Sequence, residues 1–394
     1  MGLAVAVVGA GIGGLTAALA LARQGHSVTI AERRTGFGEA GAGIQLSPNA
    51  TRVLWELGLE TAVRRAACEP SGVAIRSLRT GAAIGAMRLG PELEQLYGSP
   101  YLVIGRQDLH TALLDAVRGR PEIRIKVGRS LTSIDEASGR VRLTLATGSG
   151  QAETLEADLA VGADGIGSAT RTLLGDGRVP AFSGEVAYRA LVPREAAPVS
   201  LARPDTGLWL GPGRHVVHYP IAAGRLVNVV AVAPRPAPVE GWSAPVERDA
   251  VLAAFADAAP PLAALLAAAP AWSAWSLADL PARTAGRGRV ALLGDAAHPV
   301  LPYLAQGGAL AIEDAAVLAS CLARETDPAA ALAAYRRTRL PRVCRVQATA
   351  RRNGRIFHAR GPVALARNLV MARLGPDGMA DRQAWLYGWR PDAR

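Results

Sequence analysis

The hydrophobic positions of this chain follow two different patterns. Near the N-terminus an apolar run over 5–8 leads into a glycine-rich turn, a helical stretch over 15–24 and a second apolar run over 27–31. This order predicts a strand–helix–strand unit with parallel strands. Between 176 and 280 the alternation stops, and β-branched runs such as "RHVVHYPI" are separated by glycine and proline. That region predicts a mostly antiparallel sheet in a second domain.

Length and composition fit an intracellular protein of two domains. The chain has 394 residues, half of them hydrophobic, which suits two buried cores. Its three cysteines lie far apart and its six histidines form no metal-binding pair, so neither a disulfide framework nor a metal site is expected. The alanine-rich stretch over 251–271 is interrupted by an aspartate and three prolines and falls short of the roughly 18 apolar residues of a membrane span. We expect a cytoplasmic protein that does not bind a membrane.

The net charge of +11 raises the question of nucleic acid as a partner. Lys126 is the only lysine among 44 lysine and arginine residues, so the arginine content resembles the codon bias of a GC-rich genome. No basic run is interleaved with aromatic residues, and nucleic-acid binding is therefore not expected. The charge better suits an anionic cofactor or an acidic substrate.

The turn over 9–14 has the glycine spacing of a dinucleotide-binding loop. Gly9, Gly11 and Gly14 satisfy GxGxxG, and Glu32 follows Gly14 by 18 residues, at the end of the second strand. In this arrangement the first glycine permits the turn, the second lets the backbone approach a pyrophosphate, and the third lets helix and strand pack closely. Glu32 would accept hydrogen bonds from ribose hydroxyls, and the helix N-terminus would bind the phosphates.

Two further strands end at an aspartate. Asp164 ends the strand in "LAVGADG", before a helix capped by Ser168, and Asp295 follows the strand predicted over 289–293 in "LLGDAAHP". Taken alone, Asp164 also fits an ordinary turn acid. The glycine motif by itself fits NAD or FAD, but a dehydrogenase that binds NAD across one sheet needs neither aspartate. The combination favours FAD.

Together these motifs resemble the single-component (class A) FAD-dependent aromatic hydroxylases, in particular the salicylate hydroxylase, 3-hydroxybenzoate 6-hydroxylase and 6-hydroxynicotinate 3-monooxygenase types. The resemblance covers nearly the whole chain and extends to "GAGIQLSPNATRVLWELGL", "IGRQDLHTALL", "QGGALAIEDA", "YRRTRLPRVCRVQATARRNGRIFH" and "WLYGW". Each segment is moderately specific alone, and the segments occur in the family's order.

The resemblance implies an α/β fold with a Rossmann-like FAD-binding domain, a second, mostly antiparallel β-sheet substrate domain, and C-terminal helices. The FAD-binding domain is expected in three parts, 1–72, 101–178 and 281–325. The substrate domain is expected over 73–100 and 179–280, and the C-terminal helices over 326–394.

The resemblance also implies how FAD is held without a covalent bond. The N-terminal loop would hold the adenosine and pyrophosphate end, Asp295 would hydrogen-bond the ribitol, and Arg106 would lie near the ribitol or pyrophosphate. Backbone N–H groups at the helix start over 307–308 would face the flavin pyrimidine edge, because a helix N-terminus stabilises the anionic reduced flavin. The expected cofactor-binding residues are Gly9, Gly11, Gly14, Glu32, Arg33, Arg106, Asp164, Asp295, Gly307 and Gly308.

His215 and Tyr219 are the candidate catalytic residues. Strand alternation places His215, Val217 and Tyr219 on one face and His218 on the other. The resemblance puts a histidine and a tyrosine at this spacing against the substrate; the alternative is two polar side chains that point to solvent. With the ordinary histidine pKa of about 6.5, His215 would take or share a hydroxyl proton near neutral pH, and Tyr219 would hydrogen-bond a carboxylate or another oxygen. His218 and His298 are expected to be structural.

Two expected pocket positions differ from those of the related enzymes. The 6-hydroxynicotinate type has a histidine at the position of Gln45, and the 3-hydroxybenzoate type has a glutamine at that of Pro302. A neutral amide orients a substrate but cannot act as a base. We therefore expect a less polar pocket than in either type, and their exact substrates are not carried over.

The activity implied by the resemblance is that of a monooxygenase. NADH or NADPH would reduce FAD, O₂ would add to the flavin, and the flavin hydroperoxide would transfer one oxygen atom to a small aromatic or heteroaromatic substrate. NAD(P)H would bind transiently, since no second nucleotide-binding motif is present.

The alternative is a flavin oxidoreductase on the same fold without oxygen insertion, such as a polyprenyl reductase. A flavin halogenase is disfavoured because "WSAWSLADLP" lacks the expected tryptophan-rich signature, and a non-catalytic flavin-binding protein does not account for the complete set of cofactor residues. The chain is expected to be a monomer or homodimer.

Overall fold

A computed structural model describes residues 2–38, 43–201, 205–241 and 243–391 of the chain. Its strands are β1 (Ala4–Val8), β2 (Ser27–Glu32), β3 (Gly43–Leu46), β4 (Gly72–Ser77), β5 (Ala83–Arg88), β6 (Leu102–Gly105), β7 (Ile123–Val127), β8 (Arg129–Ala137), β9 (Arg140–Thr147), β10 (Ala152–Ala157), β11 (Leu159–Gly162), β12 (Ala181–Pro193), β13 (Thr206–Gly211), β14 (Arg214–Ile221), β15 (Leu226–Pro234), β16 (Ala244–Val246), β17 (Trp272–Asp279), β18 (Gly286–Arg287) and β19 (Val290–Leu292). Its helices are α1 (Ile12–Ala22), α2 (Pro48–Glu56), α3 (Glu60–Ala66), α4 (Pro91–Tyr97), α5 (Arg106–Arg118), α6 (Ala169–Leu173), α7 (Arg248–Ala254), α8 (Pro260–Ala267), α9 (Gly307–Arg324), α10 (Pro328–Phe357), α11 (Gly361–Asp381) and α12 (Ala384–Tyr387).

A six-stranded sheet carries the N-terminal glycine motif. Its strand order is β18-β19-β11-β1-β2-β7, and all neighbours run parallel except β18 and β19. The predicted β1–α1–β2 unit is present, but α1 begins at Ile12 rather than Leu15, because the chain winds into the helix directly from Gly11. Every residue of α1 is buried. The helix contacts both α5 and α9 in addition to the sheet, so its apolar sequence is covered on all sides.

An eight-stranded sheet forms the second layer. Its order is β16-β17-β12-β15-β14-β13-β4-β5, and only β13 and β4 pair in parallel, which confirms the mostly antiparallel prediction. The helices α7 and α8 were not expected within this region. They pack in an apolar cluster with outward-facing sheet residues such as Val216 and Val229. One face of the sheet is therefore covered by these helices, and the other is left to face the cleft described below.

Smaller elements pack around the two sheets. Strands β3 and β6 pair antiparallel, and β8, β9 and β10 form a separate three-stranded sheet. The long helix α10 packs against α9. In the part of the chain that the structure describes, no helix combines the length and the apolar character needed to cross a membrane.

Candidate active site

One continuous cleft runs from the carboxyl ends of β1, β11 and β19 to the inner face of the eight-stranded sheet. It consists of two cavities of about 530 Å³ and 320 Å³, each within the usual range of ligand sites. The two cavities share lining residues Gly11, Arg106, Ala163, Gly165 and Asp295. The position agrees with the general rule that α/β sheets bind ligands beyond the carboxyl ends of their strands.

The glycine turn forms one end of the cleft. Gly9 has φ +104°, and a Cβ atom there would lie 2.5 Å from the Ala163 carbonyl oxygen. A Cβ on Gly14 would lie 2.0 Å from the Gly9 carbonyl oxygen, so both positions require glycine. Gly11 is different, because a Cβ there would meet no atom within 4 Å and would project into open space at the cleft. No side chain caps the N-terminus of α1, so its first N–H groups suit a pyrophosphate.

Glu32 and Arg33 line the same cavity. The Glu32 carboxylate accepts hydrogen bonds from the backbone N–H groups of Ala10 and Arg34, each at 2.8 Å. It therefore holds the glycine turn against β2, and each oxygen keeps a lone pair for a ribose hydroxyl. The Arg33 side chain is exposed at the mouth of the cavity.

Asp164 has a structural role as well as a position in the cleft. Its Oδ1 atom accepts a hydrogen bond from the Ser168 hydroxyl at 2.5 Å, and its Oδ2 atom accepts two from Thr170 at 2.9 Å. Ser168 caps α6, as predicted, by accepting from the Arg171 N–H group. The carboxylate thus stabilises the turn before α6, which agrees with the interpretation of Asp164 as a turn acid.

Asp295 differs from the other two acids. It lies where the two cavities meet, and none of the described residues donates a hydrogen bond to its carboxylate. Burial raises the pKa of Asp295, and the charges of Arg106 and His298 offset only part of that effect. A half-buried carboxylate that receives no hydrogen bond from a described residue is costly. A ligand that carries hydroxyl groups, such as ribitol, would satisfy it.

The N-terminus of α9 forms the far wall of the second cavity. Gly307 and Gly308 both line this cavity, and no side chain caps the helix. A Cβ on Gly308 would lie 2.4 Å from the terminal carbon of the Ile44 side chain on β3, so the glycine allows the helix to start close against β3. The helix N-terminus therefore presents backbone N–H groups to the cavity, where they would stabilise an anion.

His215 and Tyr219 face this cavity together. Both line it with Val217, whereas His218 lies on the opposite face with its ring centroid 6.3 Å from that of Trp209. The predicted alternation along β14 is confirmed. The alternative of two solvent-exposed side chains is wrong, since His215 and Tyr219 are each only 3% exposed.

The expectation that His215 keeps an ordinary pKa is wrong. Burial, with a smaller effect from His358, lowers the pKa of His215 to about 3. The imidazole is therefore neutral at physiological pH and has one nitrogen that accepts a hydrogen bond. Burial also raises the pKa of Tyr219, although Arg189 and a hydrogen bond with Gln45 lower it in part. Tyr219 consequently keeps its proton and acts as a donor.

Gln45 and Pro302 both line the cavity. The Gln45 side-chain oxygen accepts a hydrogen bond from the Tyr101 hydroxyl, which fixes the orientation of the amide. His298 lies outside the cavity lining, and its Nε2 atom is 2.6 Å from Oδ2 of Asp314. This agrees with the structural role expected for His298.

Sequence analysis missed Arg189, which lines the same cavity. It lies on β12 in one cross-strand row with Val230 and Val217. Its guanidinium carbon is 4.2 Å from the centroid of the Trp275 ring, and its buried Nε atom has no hydrogen-bond partner. Burial lowers the pKa of Arg189 to about 10, so it stays charged at neutral pH. An arginine inside the apolar strand sequence "EVAYRALVP" was the signal that could have identified it.

The electrostatic character of the pocket therefore differs from expectation. Low polarity was predicted from Gln45 and Pro302, but Arg189 adds a full positive charge. Among the described residues no carboxylate forms an ion pair with it. A desolvated cation without a protein counter-ion favours an anionic group on the ligand.

Comparisons with known proteins find relatives that match nearly the whole chain. Residues 2–350 match the model of a protein family described as FAD binding domain. The chain is 41% identical over 390 residues to 3-amino-4-hydroxybenzoate 2-monooxygenase PtnB3 of Streptomyces platensis, with 98% of this chain and 96% of the relative covered. It is 36% identical over 387 residues to 3-hydroxybenzoate 6-hydroxylase 1 of Aquipseudomonas alcaligenes, with 98% and 97% covered. The solved structure of Klebsiella pneumoniae HpxO complexed with FAD and uric acid superposes with a TM-score of 0.85 at 28% identity, covering 98% of this chain and 96% of that chain.

Proposed function

The chain belongs to the family of FAD-binding aromatic hydroxylases and is a FAD-dependent aromatic monooxygenase, and we propose that its substrate is a small hydroxylated aromatic acid. The observation that carries this proposal is the meeting of Arg189 and His215 in one cavity. A charged guanidinium suits a carboxylate, and a neutral imidazole suits a ring hydroxyl. The two relatives described above are named for substrates that combine both groups.

The cleft has the features that FAD requires. The uncapped start of α1 and the open approach at Gly11 suit the pyrophosphate, and Asp295 suits the ribitol hydroxyls. The start of α9 would face the pyrimidine edge of the flavin. When bound and reduced by NADH or NADPH, FAD would activate O₂, which supplies one oxygen atom to the substrate while the other leaves as water. We propose that NAD(P)H is a transient co-substrate.

The pocket residues would position and activate the aromatic ring. Arg189 would bind the carboxylate, Tyr219 would donate a hydrogen bond to a substrate oxygen, and His215 would accept the ring hydroxyl proton. Loss of that proton makes the ring more electron-rich, which favours electrophilic attack by oxygen. Val217, with the other valines of the sheet face, would keep water away from the reacting carbon.

We also propose the two-domain division that the sequence predicts. The strands of the eight-stranded sheet lie within 72–88 and 181–279, close to the proposed substrate-domain segments 73–100 and 179–280. The six-stranded sheet is formed by strands within the proposed FAD-binding segments. The substrate cavity then lies between the domains, where ligand sites are common.

The proposal is tested by a screen of paired compounds on the purified holoenzyme. Each acid, such as 3-hydroxybenzoate or 3-amino-4-hydroxybenzoate, is compared with its neutral amide, and NAD(P)H oxidation, O₂ uptake and product mass are measured. We expect an acid to stimulate NAD(P)H oxidation and to yield a product that has gained one oxygen atom. Preference for the amides would contradict the role of Arg189. Substrate-stimulated NAD(P)H oxidation without oxygen insertion would contradict the proposed hydroxylation of this substrate class.

A further inference from the structure

A chain of hydrogen bonds leads from His215 away from the cavity. The Nδ1 atom of His215 lies 2.9 Å from Nε2 of His358, and the Nδ1 atom of His358 lies 2.6 Å from Oε1 of Glu185. The hydroxyl of Tyr303 donates to the other oxygen of Glu185. His215 is 3% exposed, whereas the side chains of His358 and Glu185 are 11% and 21% exposed. The chain thus begins at the cavity and ends at solvent.

Three separate elements bring these residues together. His215 is on β14, Glu185 is on β12, and His358 is the C-terminal cap of α10. The ring of Tyr303 packs beside both histidines, with centroid distances of 5.5 Å and 5.6 Å. His358 and Tyr303 are the titratable groups that face the His215 ring, and Glu185 lies behind them.

The hydrogen-bond partners determine the tautomers. Because a carboxylate only accepts, Nδ1 of His358 donates to Glu185, and Nε2 of neutral His358 is then an acceptor. His215 must therefore donate from Nδ1 to His358. This leaves Nε2 of His215 with a free lone pair, ready to accept a proton from a ligand in the cavity.

We propose that His215, His358 and Glu185 form a proton relay that carries the hydroxyl proton of the bound aromatic substrate to solvent. The relay rests on the role proposed above for His215. The substrate O–H bond breaks as the proton binds Nε2 of His215, and the Nδ1 proton of His215 moves to Nε2 of His358. The Nδ1 proton of His358 moves to Glu185, which releases it to water. The reverse transfers, when the product oxygen is reprotonated, restore both tautomers.

The burial of His215 explains why the proton must leave the cavity. A protonated imidazole in this site would be a desolvated cation in a cavity that the charged Arg189 also lines. Passing the proton onward keeps both histidines neutral at the start and end of the transfer. Although burial raises the pKa of Glu185, hydrogen bonds from His358 and Tyr303 lower it below its ordinary value. Glu185 therefore remains a carboxylate and does not retain the proton.

The contacts also have a possible structural role, which the test must separate from proton transfer. The hydrogen bond between His358 and Glu185 connects the end of α10 to β12. However, the backbone carbonyl of His358 already accepts a hydrogen bond from the Gly213 N–H group at 3.0 Å. Replacing a relay side chain by glutamine keeps its ability to hydrogen-bond but removes its ability to pass a proton.

The test compares His358→Gln and Glu185→Gln with the unmodified holoenzyme, with 3-hydroxybenzoate and 3-amino-4-hydroxybenzoate as probes. Stopped-flow mixing in weak buffer with a pH indicator measures proton release, and difference absorbance measures phenolate formation. We expect proton release to accompany binding in the unmodified enzyme. In both variants we expect proton release to be at least about tenfold slower than in the unmodified enzyme, while the dissociation constant of the probe changes less than about twofold. If the contacts were merely structural, the variants would change probe affinity and protein stability, but proton release would still keep pace with probe binding.

His218→Gln is the matched control, because His218 is a buried histidine of the same strand on the opposite face. The His218→Gln enzyme should release protons at the unmodified rate. If His215→Ala abolishes proton release while both glutamine variants release protons at the unmodified rate, the relay is overturned and the role of His215 stands. If His215→Ala also binds, releases protons and hydroxylates normally, the proposed function of His215 fails as well. Should His358→Gln not fold, Glu185→Gln alone decides between these outcomes.

Discussion

The Nε atom of Arg339 lies 2.6 Å from Oδ1 of Asp314, and both side chains are almost fully buried. The other oxygen of Asp314 accepts a hydrogen bond from the Gly294 N–H group at 2.8 Å and lies 2.6 Å from Nε2 of His298. One carboxylate thus connects α10 and α9 to the loop that presents Asp295. This buried pair fixes the end of the cleft that we propose for the flavin.

Asp314→Asn should lower the free energy of unfolding by about 3–5 kcal/mol, because Arg339 and Arg342 then share Glu313 as their one remaining carboxylate partner and the cluster carries an uncompensated buried positive charge. It should also weaken FAD retention, since the loop over 294–298 loses its anchor. Denaturant unfolding and flavin fluorescence of the filtrate measure the two effects. Glu156→Gln is the control, because it breaks only the exposed ion pair with Arg142, which is worth less than about 1 kcal/mol. Equal losses in the two variants would contradict the importance of the buried pair.

Asp295→Ala should weaken FAD binding while leaving the fold intact. No described residue depends on this carboxylate for a hydrogen bond, and the loss of one or two ligand hydrogen bonds amounts to about 1–3 kcal/mol. Isothermal titration of the apoprotein with FAD measures the change. Asp164→Ala, in contrast, removes three hydrogen bonds that support α6 and should also destabilise the fold by about 1–3 kcal/mol. If Asp295→Ala retains FAD as tightly as the unmodified protein, its assignment to the ribitol is wrong.

His215→Ala should reduce hydroxylation by about 10²–10⁴-fold, the usual effect of losing a general base. Flavin reduction should suffer less, because hydride transfer does not require this proton. NAD(P)H consumption should then continue with formation of hydrogen peroxide in place of product. The measurement is the ratio of hydroxylated product to NAD(P)H oxidised, and His218→Gln should leave this ratio unchanged. If the His218 variant alone were uncoupled, the substrate would lie against the His218 face of β14, and the proposed site would be wrong.

Arg189→Met should weaken the binding of an aromatic acid about 10- to 100-fold, the equivalent of a lost charge-assisted hydrogen bond of about 1.5–3 kcal/mol. Methionine retains much of the packing against Trp275 but carries no charge. Binding of the corresponding neutral amide should change little, so the ratio of the two affinities is the informative quantity. A parallel loss for acid and amide would mean that Arg189 contributes packing rather than charge recognition.

The two buried histidines of β14 should make the apoprotein sensitive to mild acid. Burial is the main cause that lowers the pKa of His215 to about 3 and that of His218 to about 4. Above the unfolded pKa of about 6.5 both histidines are neutral in the folded and the unfolded chain, so their protonation does not change stability. Below this pH the unfolded chain binds protons that the folded chain does not. At pH 5 each histidine should therefore lower the free energy of unfolding by about 2 kcal/mol. His218→Gln should therefore lose less stability between pH 7 and pH 5 than the unmodified protein; an equal loss would show that His218 is not buried in neutral form.

Local patterns were enough to predict the backbone around the glycine turn and the directions of the side chains on β14. The GxGxxG turn, Glu32 and the alternation along β14 depend on residues close in sequence, and strand or helix periodicity determines their directions. The helix α8 was missed because its prolines were considered only as interruptions of an apolar stretch. Pro260 occupies the first helical position, where proline begins a helix rather than breaks it.

The rest of the candidate site depends on contacts that no local pattern contains. Arg189 reaches the cavity because β12 pairs with β15 and β15 with β14 in one particular register. His358 meets His215 only after α10 has packed across the sheet. The lowered pKa of His215 has the same origin, because burial is a property of the folded chain and not of the strand sequence.

The burial of α1 on all sides has a consequence for biosynthesis. Gly13 of α1 packs against Leu293 and Ala311, which the ribosome adds almost 300 residues later. At about 5–20 residues per second, an apolar helix made within the first seconds of translation would wait roughly 15–60 s for its covering helix. The cleft is likewise incomplete until Gly307 has emerged. The apolar helix α1 of a nascent chain therefore lacks part of its native cover for most of synthesis, and the complete FAD-binding cleft can form only near the end.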